Sequence, residues 1–432
     1  MRIGIIVIGL LAGYTVAAQD TLQLRQAIGL ALENNFAIQI AEKRAQVASN
    51  NAVPGEAGML PNVNVSADQS WSVQNFNQQF ISGDEVVRSG ANSNNTTALA
   101  QLDWTLFDGL RMFTTLDRLQ ELEAFGNLQV QAQILETVAA VHRVYFNLVQ
   151  LQKQVRVYEQ ALALSAERVQ IAEDKFNLGS GSRLELLQAQ VDYNTDRNTL
   201  LTGREQLRNA QINLSNVIGF GPQQRWVARD TIAVDPSLLY APLREQMLGE
   251  NYTLLQARSQ QRVAQLSVEE AKGLRYPEVG FTTNYRFNRS AAEAGFVLSS
   301  QTDGFTYGFG LTMPVFNGFQ INRQIKNAQL EAEAIALEEE QLRIQLENEL
   351  ASIFTAYENN KELVELEAAN LAVASENLDV ALESYELGII SALELRDIQN
   401  NYVLAQNRLL QAQYRLKVAE IDLKALSRTL EW

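Results

Sequence analysis

Trp104-Thr105-Leu106-Phe107-Asp108-Gly109 recurs as Met313-Pro314-Val315-Phe316-Asn317-Gly318, at an offset of 209 residues. At the same offset Phe176-Asn177-Leu178-Gly179-Ser180-Gly181-Ser182-Arg183-Leu184-Glu185-Leu186 meets Tyr385-Glu386-Leu387-Gly388-Ile389-Ile390-Ser391-Ala392-Leu393-Glu394-Leu395, and the register persists to Leu214 and Leu423. Upstream the offset becomes 216, pairing Asn35-Phe36 with Asn251-Tyr252 and Pro61 with Pro277, so an insertion lies between Pro61 and Phe107. A period this long is not that of a solenoid. The chain contains two copies of one structural unit, and its architecture must carry an internal pseudo-two-fold.

Met1-Arg2, the apolar run from Ile3 to Leu11 and Val16-Ala17-Ala18 have the layout of a secretory leader cut after Ala18. The run is too short for a helical membrane span, and no other stretch approaches the length needed. The expected organisation is therefore a leader over 1–18, a first repeat over 19–218, a linker over 219–242 and a second repeat over 243–432. Cysteine is absent, which removes disulfides, thiolate metal sites and lipid attachment at an N-terminal Cys. A net charge of -15 argues against nucleic acid as a partner, because phosphate binding needs basic patches.

Upstream of the quoted motif the hydrophobic period changes along the chain. Leu22 to about Ala52 and Leu243 to about Leu274 read as helices, with Pro54-Gly55 ending or kinking the first. The period then becomes two. Val63, Val65, Ala67, Trp71 and Val73 alternate with polar residues, as do Ala98, Ala100, Leu102, Trp104 and Leu106. The second half repeats this with Val279, Phe281, Tyr285 and Phe287, and with Phe305, Tyr307, Phe309, Leu311 and Met313. Polar stretches at 74–96 and 288–303 read as loops between the strands. Alternation alone fits a soluble hairpin with one face on a core. A leader, no helical spans and strands of bilayer length favour transmembrane β-strands.

After Gly109 the chain runs to Leu178 without Pro. Ile134, Val141, Leu148, Val155, Leu162, Val169 and Phe176 are seven apart, answered by Leu350, Tyr357, Val364, Leu371, Leu378 and Tyr385. Sevenfold spacing over this length means coiled-coil packing. At 1.5 Å per residue the helix is about 100 Å long. The return helices, about Ser182–Val217 and Ser391–Leu430, cover about half of that, and the short helix of each half matches the shortfall. One long helix can thus lie beside two short ones. The segment 219–242 has a short apolar alternation at Trp226–Val234 that suits a small strand.

The turns are repeated too. Asp108-Gly109 and Asn317-Gly318 sit where strand becomes helix, with an Asx residue to cap and a Gly to relieve the backbone. Leu178-Gly179 and Leu387-Gly388 end the long helices, and Ser182 and Ser391 begin Ser-x-x-Glu capping boxes with Glu185 and Glu394. Asp397 lies three residues beyond Glu394, on the same side of the helix. Two readings stay open for this pair: a cap with a charge at the helix N-terminus, or an acidic constriction that favours cations. The first half has Gln188 where the second has Asp397, so the hairpin itself does not demand the acid. His142, the single histidine, sits mid-helix among apolar neighbours and reads as packed or lumen-facing. No nucleophile elbow, P-loop or metalloprotease motif is present, so the chain is not expected to be an enzyme or to need a cofactor.

Four strands cannot close a membrane barrel, and open edges are not tolerated in lipid, so the chain must oligomerise. Two copies give eight strands with a filled interior; three give twelve, with room for a channel. A trimeric coiled-coil surface protein or adhesin with a membrane anchor is the alternative, but it predicts one anchoring segment and no duplication.

The duplicated unit, the Leu-Pro-Asn-Val start at Leu60 and the Tyr-Pro-Glu-Val start at Tyr276, Phe-Asp-Gly and Phe-Asn-Gly, and Leu-Gly-x-x-Ser at both hairpins together resemble the outer membrane efflux protein family, the TolC-like exit ducts. The resemblance implies an α+β membrane protein. Three chains would join a 12-stranded transmembrane β-barrel to a periplasmic α-barrel of long helices. It implies a passive duct for tripartite efflux or type I secretion. The hairpin tips, with Leu178, Gly179, Ser182, Leu387, Gly388 and Ser391, would dock a periplasmic adaptor of an inner-membrane pump. It also implies a periplasmic gate at Glu394 and Asp397, with Tyr385 and Glu185. The Arg often found two residues after the hairpin Gly is Ile390 here, so another contact is expected to hold the gate.

Overall fold

The computed structural model describes residues 21–295 and 297–431; the leader expected over 1–18 lies outside them. Its element order is β1 (Thr21–Leu22), α1 (Leu24–Asn34), α2 (Phe36–Asn51), β2 (Asn62–Gln79), β3 (Glu85–Phe107), α3 (Arg111–Asn177) and α4 (Arg183–Val217). The second half follows with β4 (Val227–Ala228), α5 (Tyr240–Glu250), α6 (Tyr252–Gly273), β5 (Glu278–Ala292), β6 (Ser299–Thr312), α7 (Gln320–Glu386) and α8 (Ala392–Leu426). Apart from the linker strand β4 and its partner β1, the second half repeats the first. Among the described residues no helix is long and apolar enough to cross a membrane.

Contacts group the chain into two compact units, each drawing segments from both repeats. The first holds 21–41, 130–252 and 343–431 of the described residues. Its core includes Tyr145, Leu148, Leu214, Ile218, Met247, Leu350, Tyr357, Ile421 and Leu423, all essentially inaccessible. Four members of the two heptad series, Val141, Val155, Leu378 and Tyr385, are also buried here. Tyr145 donates its hydroxyl to the Leu22 carbonyl (2.8 Å) and to Asp230 (2.5 Å), and Asp230 accepts from the Leu24 N–H (2.9 Å). These bonds clasp β1 in parallel register with β4, so the linker does contain the small strand its alternation suggested.

The two short helices expected at 22–52 and 243–274 are each divided. The break falls at Asn35 in the first half and at Asn251 in the second, both in extended backbone. The Asn35 amide donates to the Val217 carbonyl at the end of α4 (2.8 Å), and its Oδ1 caps α2 through the N–H of Ala37 (2.8 Å). Asn251 donates to the Leu426 carbonyl at the end of α8 (2.9 Å). One side chain thus satisfies the open C-terminus of another helix, which outweighs continuing its own.

The second unit holds 42–129 and 253–342, including the four-stranded sheet in the order β2-β3-β5-β6, antiparallel throughout. The stretches 74–96 and 288–303, expected as loops, are mostly strand. β2 and β3 pair as far as Gln79 and Glu85, and β5 and β6 as far as Ala291 and Ser299. Ladder bonds are made by backbone, so the polar side chains that end the apolar alternation do not end the pairing. Val63, Val65, Trp71 and Val73 share one face with Phe305, Tyr307, Phe309 and Leu311, all exposed. The other face carries Asn64, Ser66, Asp68, Gln101, Asp103, Thr282 and Asn284. An apolar outer face and a polar inner one are what a membrane barrel wall requires.

The strand-to-helix joints are short, three residues (108–110) in the first half and seven (313–319) in the second. Asp108 Oδ1 accepts from the Met112 N–H (3.2 Å), as expected of a cap, while the Asn317 backbone carbonyl accepts from Gln320 N–H. Gly109 and Leu110 both have positive φ (76° and 70°), and Gly318 and Phe319 repeat it (62° and 60°). The two glycines differ in their surroundings. A Cβ on Gly109 would lie 2.4 Å from the Gly273 carbonyl oxygen, whereas one on Gly318 would meet nothing within 4 Å. Gly109→Ala should therefore destabilise by about 2–5 kcal/mol, left-handed strain plus overpacking, and Gly318→Ala by only about 1 kcal/mol. Melting of the detergent-solubilised variants checks the ordering.

Candidate functional site

Both long helices end as their sequences dictate. Gly179 (φ 74°) and Gly388 (φ 73°) take the left-handed stop, with Ser180 N–H returning to the Lys175 carbonyl and Ile389 N–H to that of Ser384. Leu178 and Leu387 stand at the tips, exposed. Ser391 and Glu394 form the full capping box: Ser391 Oγ accepts from Glu394 N–H (3.3 Å), and Glu394 Oε2 accepts from Ser391 N–H (2.7 Å). At the first hairpin only half of it forms. Ser182 Oγ accepts from Glu185 N–H (3.1 Å) with no reciprocal bond, which corrects the expectation of two boxes.

The residues expected at a gate are thus placed unequally. Glu394 is engaged by Ser391, whose N–H and O–H hold its carboxyl below the usual range, and no bond links it to Asp397 among the described residues. Asp397 is exposed and Glu185 is half-buried. Tyr385 is buried with Ala381 and Leu395 beneath the second hairpin, and Ile171 of α3 and Ile390 pack against this cluster. Lys175 Nζ lies 4.4 Å from the centre of the Tyr385 ring. Ile390 is therefore part of a small apolar core shared by the two hairpins.

Sequence reading missed the densest polar structure near this end. Arg396 of α8 grips Asp196 of α4 with two bonds of 2.7 Å. Arg168 of α3 donates to Asp192 (3.0 Å) and to Gln399 (3.2 Å), and Arg396 Nε lies 3.9 Å from Asp192. Ser165 donates to Asp196. The four charged side chains are only 6–14% exposed. Fork-shaped guanidinium-to-carboxylate contact gives this cluster fixed geometry, and it ties the first hairpin to the second. A cavity of about 90 Å³ adjoins it, lined among others by Tyr158, Leu164, Gln399 and Tyr402. At the 209 offset Arg396 corresponds to Leu187, Asp196 to Ala405 and Asp192 to Asn401. The cluster is therefore not part of the duplicated scaffold. A signal existed in those mismatches, but charges on helices ordinarily read as solvated.

A family model described as outer membrane efflux protein matches residues 27–220 and 243–427. The chain belongs to the outer membrane efflux protein family. It is 22% identical to the outer membrane efflux protein BepC of Brucella suis, over 96% of this chain and 87% of that one. It is equally identical to the outer membrane protein TolC of Escherichia coli, over 98% and 86%. The crystal structure of the outer membrane protein VceC from Vibrio cholerae superposes with a TM-score of 0.74 at 17% identity, covering 94% of this chain and 96% of that one. The protein is accordingly an outer-membrane efflux channel that joins a transmembrane β-barrel to a periplasmic α-barrel. The family is one of channels, and no group of side chains suited to a metal ion occurs among the described residues.

His142 is packed, 8% exposed in the first unit. Burial, with the charge of Lys417 nearby, lowers its pKa from 6.5 to about 4. A depressed folded pKa means the unfolded chain binds the proton first as pH falls. Stability due to neutral His142 is complete above pH 6.5 and is lost progressively towards pH 4, by about 3 kcal/mol in all. Melting temperatures should fall over that window, and His142→Phe should flatten that part of the profile.

Proposed function

We propose that three copies form a passive exit duct closed at its periplasmic hairpin end, with the buried Arg396–Asp196 pair and the Arg168–Gln399 bond holding each protomer's two hairpins together in the closed state. The observation that carries this reading is the ionic cluster: it joins α3 and α4 to α8 a few turns from the tips, where Ile390 supplies no charge. Opening an aperture requires one hairpin to move against the other, and these contacts resist it. The open edges of β2 and β6 support closure by further copies, since three sheets give twelve strands. Each repeat, 19–218 and 243–432, then supplies one hairpin pair of strands and one helical hairpin, with 219–242 between them.

In the same reading Glu394 and Asp397, from three chains, make an acidic constriction that favours cations, with Glu185 and Tyr385 at its margin. The tips, with exposed Leu178 and Leu387 beside Gly179, Ser182, Gly388 and Ser391, offer the surface to a periplasmic adaptor that brings an inner-membrane pump. The pump supplies the energy.

Single-channel recording in planar bilayers tests both parts. Arg396→Gln and Asp196→Asn each remove one partner of the buried bidentate pair, a cost of about 3–5 kcal/mol to the closed state, and should raise the open fraction markedly. The swap Arg396→Asp with Asp196→Arg should restore closure. Glu394→Ala with Asp397→Ala should enlarge the steps and weaken cation selectivity. No conductance under any condition, or an open fraction indifferent to the cluster, would defeat the reading.

A further inference from the structure

All four connections to helices leave the sheet at one end, so the turn at 80–84 and the far ends of β5 and β6 mark the other, which faces away from the periplasm. On the outward face Trp104 and Trp71 stand at opposite ends of the apolar band. Trp71 pairs with Asn94 on β3, ten residues from Trp104. Ten residues at about 3.3 Å, tilted as barrel strands are, give a height of roughly 25 Å, which is the height of the apolar band itself. Trp71 therefore stands at the level of the outer-leaflet headgroups.

A pocket of about 360 Å³ opens on that face at that level. Trp71, 76% exposed, forms one side, Asn92 and Asn94 project from β3, and Glu293 follows the end of β5. Asn92 is held in place, donating to Glu293 Oε2 through both its backbone and its side-chain nitrogen at 3.1 Å. Two cations flank the site. Arg289, exposed, stands two residues before Ala291 on the same face, and Arg88 reaches the Glu293 carbonyl (3.1 Å). An indole plane suits the C–H face of a sugar ring, amides and a carboxylate suit its hydroxyls, and a guanidinium suits a phosphate. An aromatic belt alone needs none of these polar groups.

We infer that this pocket binds the phosphorylated sugar headgroup of an outer-leaflet glycolipid, with Trp71 as stacking platform, Asn94 and Glu293 facing its hydroxyls, and Arg289 paired with its phosphate. The site is continuous with the lipid-facing band, so a lipid-borne headgroup reaches it with its acyl chains against Val65 and Phe305.

The test titrates the full-length protein in detergent with deep-rough lipopolysaccharide, with its delipidated phosphorylated oligosaccharide, and with phosphatidylglycerol, counting bound molecules by mass spectrometry of the intact assembly. Lipopolysaccharide should bind saturably and in preference to both others. Trp71→Ala and Arg289→Gln should each weaken it roughly tenfold, as one lost stacking or charge-assisted contact implies. Ser70→Ala, on the opposite face of β2, should change nothing. If Trp71→Ala fails to fold, Arg289→Gln and Asn94→Leu carry the comparison. Equal binding of phosphatidylglycerol would reduce the site to a charge, equal binding of the free oligosaccharide would remove the lipid, and indifference to all three substitutions would overturn the assignment.

Discussion

Lipid offers no hydrogen bonds, and that constraint governs the chain. Within the bilayer every backbone N–H and C=O must find a partner in protein. The sheet β2-β3-β5-β6 meets this for its inner strands and leaves unmet groups along its two edges, which the proposed assembly would pair with further copies. Association is thus a requirement of the backbone before it is a matter of side-chain preference. The alternating faces follow from the same wall, apolar where acyl chains lie and polar where water passes.

Duplication answers the requirement economically, and the repeated features are the ones that geometry imposes. Gly179 and Gly388 stop the long helices, and Gly109-Leu110 and Gly318-Phe319 turn strand into helix through paired left-handed residues. Asn35 and Asn251 each close the C-terminus of a return helix from the far end of the repeat. These positions set the angle and length of the pieces, the glycines by adopting left-handed backbone and the asparagines by bonding to helix-end carbonyls.

Much of this was legible in the chain. The heptad series, the strand alternation and the hairpin stops are local and repeated, so each half corroborates the other. What escaped has physical reasons. The strands outrun their apolar alternation because pairing continues through Gln, Ser and Asn. The breaks at Asn35 and Asn251 depend on bonds to Val217 and Leu426, nearly two hundred residues away, which no window of sequence contains. Arg168, Asp192, Asp196 and Arg396 look like solvated helical charges, and only packing shows that they are buried against one another. At the gate, the capping role of Glu394 was open in the sequence and is taken up in the structure, while its placement in a constriction is a matter for the assembled channel.

The ionic cluster also bears on why two copies share one chain. In a ring of six identical half-chains, position 187 could not be leucine in some and arginine in others. A contact between neighbouring hairpins would then occur at all six interfaces or at none. In the proposed trimer, joining the halves covalently would lower the symmetry from six-fold to three-fold, and it lets residue 196 be aspartate where its counterpart 405 is alanine. In that assembly fusion would create two kinds of seam between hairpins, one fastened within a chain and one between chains.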